Sequence, residues 1–496
     1  MPISSHLPHL RRHLPAIIFL FALTVFNAWN LNRGALDDDE WATCAISCGL
    51  GVHPGSHDFP VVFRIKAPDK PVFTAADYEP RKSVRNVVQV AFADNGHAIP
   101  YYALLYGWTR LVGFSVFKIR LLSVLLLMAA LAVWYAFYQA ATGSVNVALG
   151  AMVMLALNGS TITLAQYARF YTLILLLAGI ATLLVWKLVA GAATRSTGRA
   201  VRLSLLLGLL WGLMAVTHYF AGIVVLAQLV FLCSYRDARR LAVPALGAAL
   251  VPVLLWLFPY GLAQIQWALS FHKTLMHGGH HAFINAITPM GLASGVGAST
   301  ATLAGFAASH LPCTNTWLNI LLALPALLLM AMRLRDRGPA FRLIRLALGA
   351  QILTVAAYSI FTGLVTMLII RYWFFVLPFG VLLLSLALQK FLRSQCARGV
   401  RIVAGMVVVL LALRFGATLA RHPRTSTPLL PQDPYEASAR AALAGYLPGD
   451  TVVHQNRDYA QTFNLFMPES DVKPQRIDTA MKQGVVLKRG GQLIPL

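Results

Sequence analysis

Four adjacent carboxylates, Asp37, Asp38, Asp39 and Glu40, follow directly on the first long apolar run of this 496-residue chain. Crowded carboxylates repel one another, so at least one is expected to hold its proton more tightly than an isolated acid does. A carboxylate beside a membrane can act as a general base toward a hydroxyl or amine, or it can bind a divalent cation. Acids in this position also cap the positive end of a helix, and for Asp37 and Asp38 that bland role stands level with a chemical one. Asp94 closes the loop that the four acids open. From there to Asp433 the only acids are Asp237 and Asp336, each inside a basic cluster. Chemistry that needs a carboxylate on this face must take it from the first loop.

Cations and imidazoles come next. Arg169, in Gln166-Tyr167-Ala168-Arg169-Phe170-Tyr171, and Arg371, before Tyr372, each stand at the rim of an apolar run. Such an Arg either snorkels to lipid headgroups or grips a phosphate with its fork of donors. With Lys273, the two could hold a lipid phosphate. Asp94-Asn95-Gly96-His97 offers a helix cap in its first two residues and an imidazole that could face a phosphate in its last. His272, Lys273, His277, His280 and His281 share a glycine-containing loop, which fits headgroup binding or gating better than a metal site. His218 and Tyr219 add a further polar pair on the same face. Cys44 and Cys48 are either a bridge in an oxidising compartment or two thiols on a helix, and no Cys/His set has structural zinc spacing.

The elements that must carry these residues follow from composition. The chain is 58% hydrophobic and 12% charged, which places it among polytopic membrane proteins. Its +23 formal charge does not mark a nucleic-acid binder, because the charges alternate with apolar runs and no nucleic-acid motif is present. About eleven spans are expected, at 14–30, 118–139, 145–162, 170–190, 201–216, 220–233, 241–260, 317–332, 343–361, 372–388 and 402–419. The first reads as an uncleaved anchor, since bulky Phe26, Trp29 and Asn30 follow where a signal peptide would need small residues. With the N-terminus in the cytoplasm, the basic clusters around Arg11, Arg199, Arg239, Arg335 and Arg398 all fall inside. Only Arg169, Lys273 and Arg371 fall in the short outer loops, as the positive-inside rule requires.

That topology gives an all-α transmembrane domain over 1–420 and a small outer C-terminal α+β domain over 421–496, with strand-like runs at 451–453 and 485–487. The outer loop 31–117 carries juxtamembrane helices, including an interfacial helix over 97–113. No ionisable residue sits mid-span, so ion pumping is disfavoured and chemistry belongs at the outer rim.

The order of these residues resembles the GT-C superfamily of membrane glycosyltransferases, in particular bacterial members of the protein O-mannosyltransferase and aminoarabinose transferase type. Asp39-Glu40-Trp41-Ala42 is similar to the family's Asp-Glu-Ala motif. Asp94 to Tyr102 is similar to its Asp-x-x-His-Pro-Pro-Leu-Tyr-Tyr motif, with Ala98-Ile99 in place of Pro-Pro. Gln166 to Tyr171 is similar to Gln-Glu-Ala-Arg-x-Tyr, with Tyr167 replacing the Glu. Arg371-Tyr372 with Pro378, and more weakly Thr217-His218-Tyr219, complete the set.

The resemblance implies a polyprenyl-phosphate-linked sugar as donor, an envelope lipid, glycan or protein as acceptor, and transfer with inversion at the outer face of a bacterial inner membrane. Asp39 would be the general base, with Glu40 or Asp38 behind it. Arg169, Arg371, His97 and Lys273 would hold the donor phosphate, and Asp94, Tyr101, Tyr102, Gln166, Tyr171 and His218 would contact substrate. No nucleotide motif is present, and a divalent cation stays open. The rival readings are a flippase for a lipid-linked sugar, which would need broken helices or repeats, and a noncatalytic scaffold.

Overall fold

Inside hydrocarbon every backbone N–H and C=O must bond within its own segment, so long apolar runs become helices. The computed structural model describes residues 7–29, 31, 38–50, 83–93, 99–191, 196–258, 262, 316–362, 374–393, 398–421, 451–453, 486–489 and 492–495. In chain order its helices are α1 (Leu7–Ala28), α2 (Asp38–Ser47), α3 (Val84–Ala93), α4 (Ile99–Val112), α5 (Val116–Thr142), α6 (Val145–Ala156), α7 (Gly159–Ala165), α8 (Tyr171–Ala190), α9 (Thr197–Thr217), α10 (Gly222–Cys233), α11 (Ala242–Trp256), α12 (Thr316–Leu334), α13 (Pro339–Thr362), α14 (Leu377–Arg393) and α15 (Arg398–Arg421). Strands β1 (Thr451–Val453), β2 (Val486–Arg489) and β3 (Gln492–Pro495) form an antiparallel sheet in that order, with Val453 opposite Val486 and Leu487 opposite Ile494.

The chain is mostly helical. Among the described residues four helices are long and apolar enough to cross a membrane: Val116–Thr142, Tyr171–Ala190, Thr197–Thr217 and Arg239–Trp256. Shorter apolar helices lie at Arg12–Ala28, Val145–Ala156, Tyr219–Cys233 and Pro325–Leu334. The stretch 145–162, expected as one span, is two helices. α6 closes at Leu157, whose N–H donates to Val153, and α7 opens where the Asn158 carbonyl accepts from Ile162. Asn158-Gly159 is a poor pair for a helix interior, which explains the break.

Two compact units are present. One holds Met1–Asn27, Leu125–Ala165 and Phe170–Arg421; the other holds Ala28–Val124, Gln166–Arg169 and His422–Leu496. The first loop therefore groups with the C-terminal tail rather than with the long apolar helices.

In the first unit α9 and α11 make close backbone contact through Gly208 and Gly212, one turn apart on α9. A Cβ on Gly208 would overlap the Ala245 carbonyl, and one on Gly212 would overlap Pro252. Small residues four apart let two helices approach this closely. Around Trp134, the rings of Phe137, Tyr138 and Phe379 pack edge-on or tilted. The polar ends of these rings are satisfied: Trp134 Nε1 donates to Leu175 O at 3.0 Å and the Tyr138 hydroxyl donates to Pro378 O at 2.9 Å. A buried polar chain ties α9, α10 and α8, with Trp211 Nε1 donating to Gln228 Oε1 at 2.6 Å and Gln228 Nε2 donating to Thr182 Oγ1 at 2.8 Å.

In the second unit α2, α3 and α4 pack on one another. The Tyr101 hydroxyl of α4 bonds Ser123 Oγ at 3.1 Å, and Trp108 Nε1 donates to Lys118 O at 2.7 Å. Both bonds fasten α4 to the first turns of α5.

Gly208→Leu is expected to destabilise the protein by about 1–3 kcal/mol, the usual cost of overpacking. Thermal unfolding in detergent checks it, and an unchanged midpoint would show that α9 and α11 are not in backbone contact.

Candidate active site

Helix α2 is buried from Thr43 to its end, and one stripe of it carries polar and thiol side chains. Glu40, Thr43, Cys44 and Ser47 recur at helical spacing and Cys48 continues the series, all of them buried. A carboxylate in such a stripe requires partners of opposite charge or donor hydrogens. Glu40, only 1% exposed, has both. Its Oε1 accepts from Arg120 Nε at 3.0 Å and from the Ala168 backbone N–H at 2.8 Å, while Oε2 accepts from Arg120 Nη2 at 2.7 Å. Arg120 turns its remaining nitrogen, Nη1, to the Leu31 carbonyl at 3.0 Å. One carboxylate thereby joins α2, the second turn of α5 and the Gln166–Arg169 segment, and Arg120 adds the chain just after α1.

Arg169 belongs to the same cluster. Its Nη1 donates to Thr43 Oγ1 at 2.9 Å, one turn along α2 from Glu40. Its backbone N–H donates to Tyr167 O at 2.7 Å, which tightens the turn that presents it. Gln166 and Tyr167 are buried beside it in sequence. Tyr101 and Tyr102 are buried on α4, and burial pushes the Tyr101 phenol above its usual range, with the Ser123 bond opposing. Tyr106 accepts from Arg110 Nη1 at 2.9 Å on the same helix.

Cys44 and Cys48 are free, buried thiols. Burial pushes the Cys44 thiol well above its ordinary value; nearby Cys48 and Glu40 add to the rise, and Arg120 and Arg169 oppose it.

Two expected substrate contacts lie in the first unit. His218 ends α9 and its Nδ1 accepts from the Phe220 N–H at 3.2 Å, so a neutral ring carries its proton on Nε2. The imidazole sits among the rings of Phe170 at 5.0 Å, Phe375 at 5.5 Å and Tyr171 at 6.4 Å. Asp38 and Asp39 form the start of α2. Asp37, Asp94, His97, Lys273 and Arg371 lie outside the described residues, as do His272, His277, His280 and His281. Among the described residues no group of three or more His, Cys, Asp or Glu is placed to hold a metal ion.

Sequence reasoning missed Arg120. Two signals pointed to it. A guanidinium near the start of an apolar helix needs a carboxylate, and the chain offers almost none between Asp94 and Asp433 outside the basic clusters. The first loop and the C-terminal tail hold the acids that were left.

No family model matches this chain, and no curated protein matches it in sequence. Among solved structures the chain is similar to ArnT, an aminoarabinose transferase, from Cupriavidus metallidurans bound to undecaprenyl phosphate. The TM-score is 0.50 at 13% identity, over 95% of this chain and 87% of that one. The likeness is one of fold. ArnT in its apo state aligns with a TM-score of 0.48 at 14% identity, over 94% and 86% of the two chains. The oligosaccharyltransferase AglB from Archaeoglobus fulgidus, in complex with an inhibitory peptide and a dolichol-phosphate, aligns at 0.42 with 10% identity, over 94% and 62%. Identity this low speaks for fold, and the chemistry has to be argued from the residues.

Two expectations follow from the cluster. Arg120→Met strands a buried carboxylate and is expected to cost about 3–5 kcal/mol, whereas Glu40→Gln with Arg120→Met removes both charges and recovers most of that loss. Thermal unfolding of the single and double variants decides it; equal losses would mean that the pair is not coupled.

The second concerns Cys44. Its folded thiol holds the proton more tightly than the unfolded one, so its contribution to stability is full below the ordinary thiol pKa of about 8.5 and is lost as pH rises above it. Cys44→Ala should therefore flatten the fall in stability on the alkaline side. In the native protein, alkylation at neutral pH should mark exposed Cys233 and spare Cys44; peptide mapping that finds Cys44 modified would overturn its burial.

Proposed function

We propose that this protein is a glycosyltransferase that moves a sugar from a polyprenyl-phosphate donor to an envelope acceptor. The acceptor is a lipid, a glycan or a protein. The observation that carries the reading is the Glu40–Arg120–Ala168 junction. It holds the acid-bearing helix α2 against the segment that carries Arg169, so a carboxylate source and a cation suited to a phosphate share one cluster. The GT-C-type fold supports the same reaction class, and ArnT with undecaprenyl phosphate supplies the donor class.

Each residue takes a definite part. The oxygens of Glu40 are occupied by Arg120 and the Ala168 amide, which makes Glu40 a positioning residue and leaves the general base to Asp39, with Asp38 behind it. Asp39 takes the proton of the acceptor hydroxyl or amine. The acceptor atom attacks the anomeric carbon from the face opposite the phosphate, the new glycosidic bond forms, and the bond from that carbon to the phosphate oxygen breaks with inversion. The electron pair leaves on the polyprenyl phosphate, whose growing charge Arg169, Arg371, His97 and Lys273 stabilise. Asp94, Tyr101, Tyr102, Gln166, Tyr171 and His218 are the proposed substrate contacts.

The basic clusters support a cytoplasmic N-terminus and a reaction at the outer face of the inner membrane.

Loss of the protein is expected to remove one sugar from a cell-envelope glycan, read by mass spectrometry of the envelope. Asp39→Asn, made with Asp38→Asn, should cut transfer about 10²–10⁴-fold, the usual worth of a general base, while the variant still folds and binds donor. Full transfer by that variant defeats the proposal. Movement of the lipid-linked sugar across the bilayer without covalent transfer would mark a flippase instead.

A further inference from the structure

Helix α10 has an outward stripe that ends at a guanidinium. Leu226 is 51% exposed and Val230 is 42% exposed. They stand four apart, and Ser234 follows at the same interval, just past the helix end. At Ser234 the side chain of Arg342, from α13, arrives from the neighbouring helix. Its Nη1 lies 3.5 Å from Ser234 Oγ, and its Cζ lies 5.2 Å from the centre of the Tyr235 ring. α10 and α13 are packed together, so the arrangement is part of the bundle and not a chance meeting of surface side chains.

The charge around this point is one-sided. Arg236, Arg239 and Arg240 follow Tyr235 in the chain, and Arg335 and Arg337 lie in the turn that opens α13; all are exposed. The acid of that turn, Asp336, is already engaged. It pairs with Arg333 and stands 3.6 Å from Lys390 Nζ, and its backbone carbonyl accepts from Arg345 at 2.8 Å. Asp237 is the other acid in the cluster. Five exposed arginines thus lie within seven residues of Ser234 or Arg342 along the chain, and Ser234 ends an apolar track about 12 Å long, from eight residues at 1.5 Å each.

A cationic end and a greasy flank on one helix match a molecule with an anionic phosphate head and an acyl chain. Free phosphate would use the arginines and leave the Leu226–Val230 stripe bare to no purpose. A nucleic acid would use the charge and find an apolar ridge beside it. We propose that the Ser234–Arg342 corner is a binding site for an anionic phospholipid. The phosphate lies on Arg342 with Arg335 and Arg337 around it, and one acyl chain runs along Val230 and Leu226. This site is separate from the Glu40 cluster and does not depend on the transfer reaction.

The test uses the full-length protein in detergent, titrated with phosphatidylglycerol or phosphatidylcholine and read by native mass spectrometry as lipids bound per chain. Phosphatidylglycerol should bind in preference to phosphatidylcholine. Arg335→Gln with Arg337→Gln, at two exposed side chains, should weaken phosphatidylglycerol binding roughly thirtyfold, the equivalent of about 1 kcal/mol for each cation removed. Val230→Asn should also weaken it, through the chain rather than the head. Arg199→Gln with Arg202→Gln, an exposed basic pair at the start of α9, should leave binding unchanged.

Three results overturn the proposal: equal binding of the two lipids, equal loss in the α9 pair, or competition by inorganic phosphate with no effect of Val230→Asn. The first would mean no headgroup selection, the second a general effect of basic charge, and the third a phosphate site without a lipid chain.

Discussion

A buried carboxylate is costly unless every oxygen is met, and the Glu40–Arg120 pair meets that demand by drawing on distant parts of the chain. Two hydrogen bonds come from one guanidinium in the fork geometry that suits a carboxylate. A third comes from the Ala168 backbone. The desolvation of two charges offsets much of this attraction, so the pair adds less to net stability than its distances suggest. Its value is in specificity. Any displacement of α2 along its axis, or any shift of the Gln166–Arg169 turn, leaves a buried charge short of a partner. The positions of Thr43 and Arg169, and the register of the stripe on α2, all follow from that one constraint.

The long helices obey the same rule with neutral groups. Thr24, Thr142, Thr182, Thr217 and Thr354 each donate to the carbonyl four residues earlier, so their hydroxyls are satisfied inside their own helix. Where a larger polar group is buried, it is passed along a chain of partners, as from Trp211 through Gln228 to Thr182. Close packing supplies what polar bonds do not. Gly208 and Gly212 bring α9 against α11, and a lattice of Trp134, Phe137, Tyr138 and Phe379 fills the space that α5 and α14 share.

Much of this was legible in the sequence, and the failures have physical causes. Apolar runs located the helices, because backbone satisfaction in hydrocarbon leaves few alternatives to a helix. Asn158-Gly159 broke one of them, which hydropathy could not register because the residues on both sides are apolar. The acids at 37–40 and the Arg at 169 stood out by type and scarcity, and Thr43 joins helix α2 to Arg169. The separate part of Glu40 did not stand out. Neighbouring residues on a helix point about 100° apart, so two adjacent acids cannot share a face, and only the phase of the helix tells them apart. That phase was available in Glu40, Thr43, Cys44 and Ser47, a run of small or partnered residues at helical spacing, but it reads as buried only once Arg120 is known to lie opposite. Part of the aromatic surroundings of His218 comes from Phe170 and Phe375, both far away in the chain, and no local pattern announces those contacts.

The scarcity of acids then has a structural meaning as well as a chemical one. In a chain with 41 basic and 18 acidic residues, a buried arginine competes for few carboxylates. The two acids between Asp94 and Asp433 stand among basic neighbours, and Asp336 is bound there by Arg333 and Lys390. Arg120 is neutralised by an acid from the first loop, and a helix that gives up one acid for this purpose must carry at least one more if it is also to do chemistry. The run from Asp37 to Glu40 meets both needs. One carboxylate fixes the helix, and under the proposed function its neighbours serve the substrate, so the repetition of acids at this point answers two tasks.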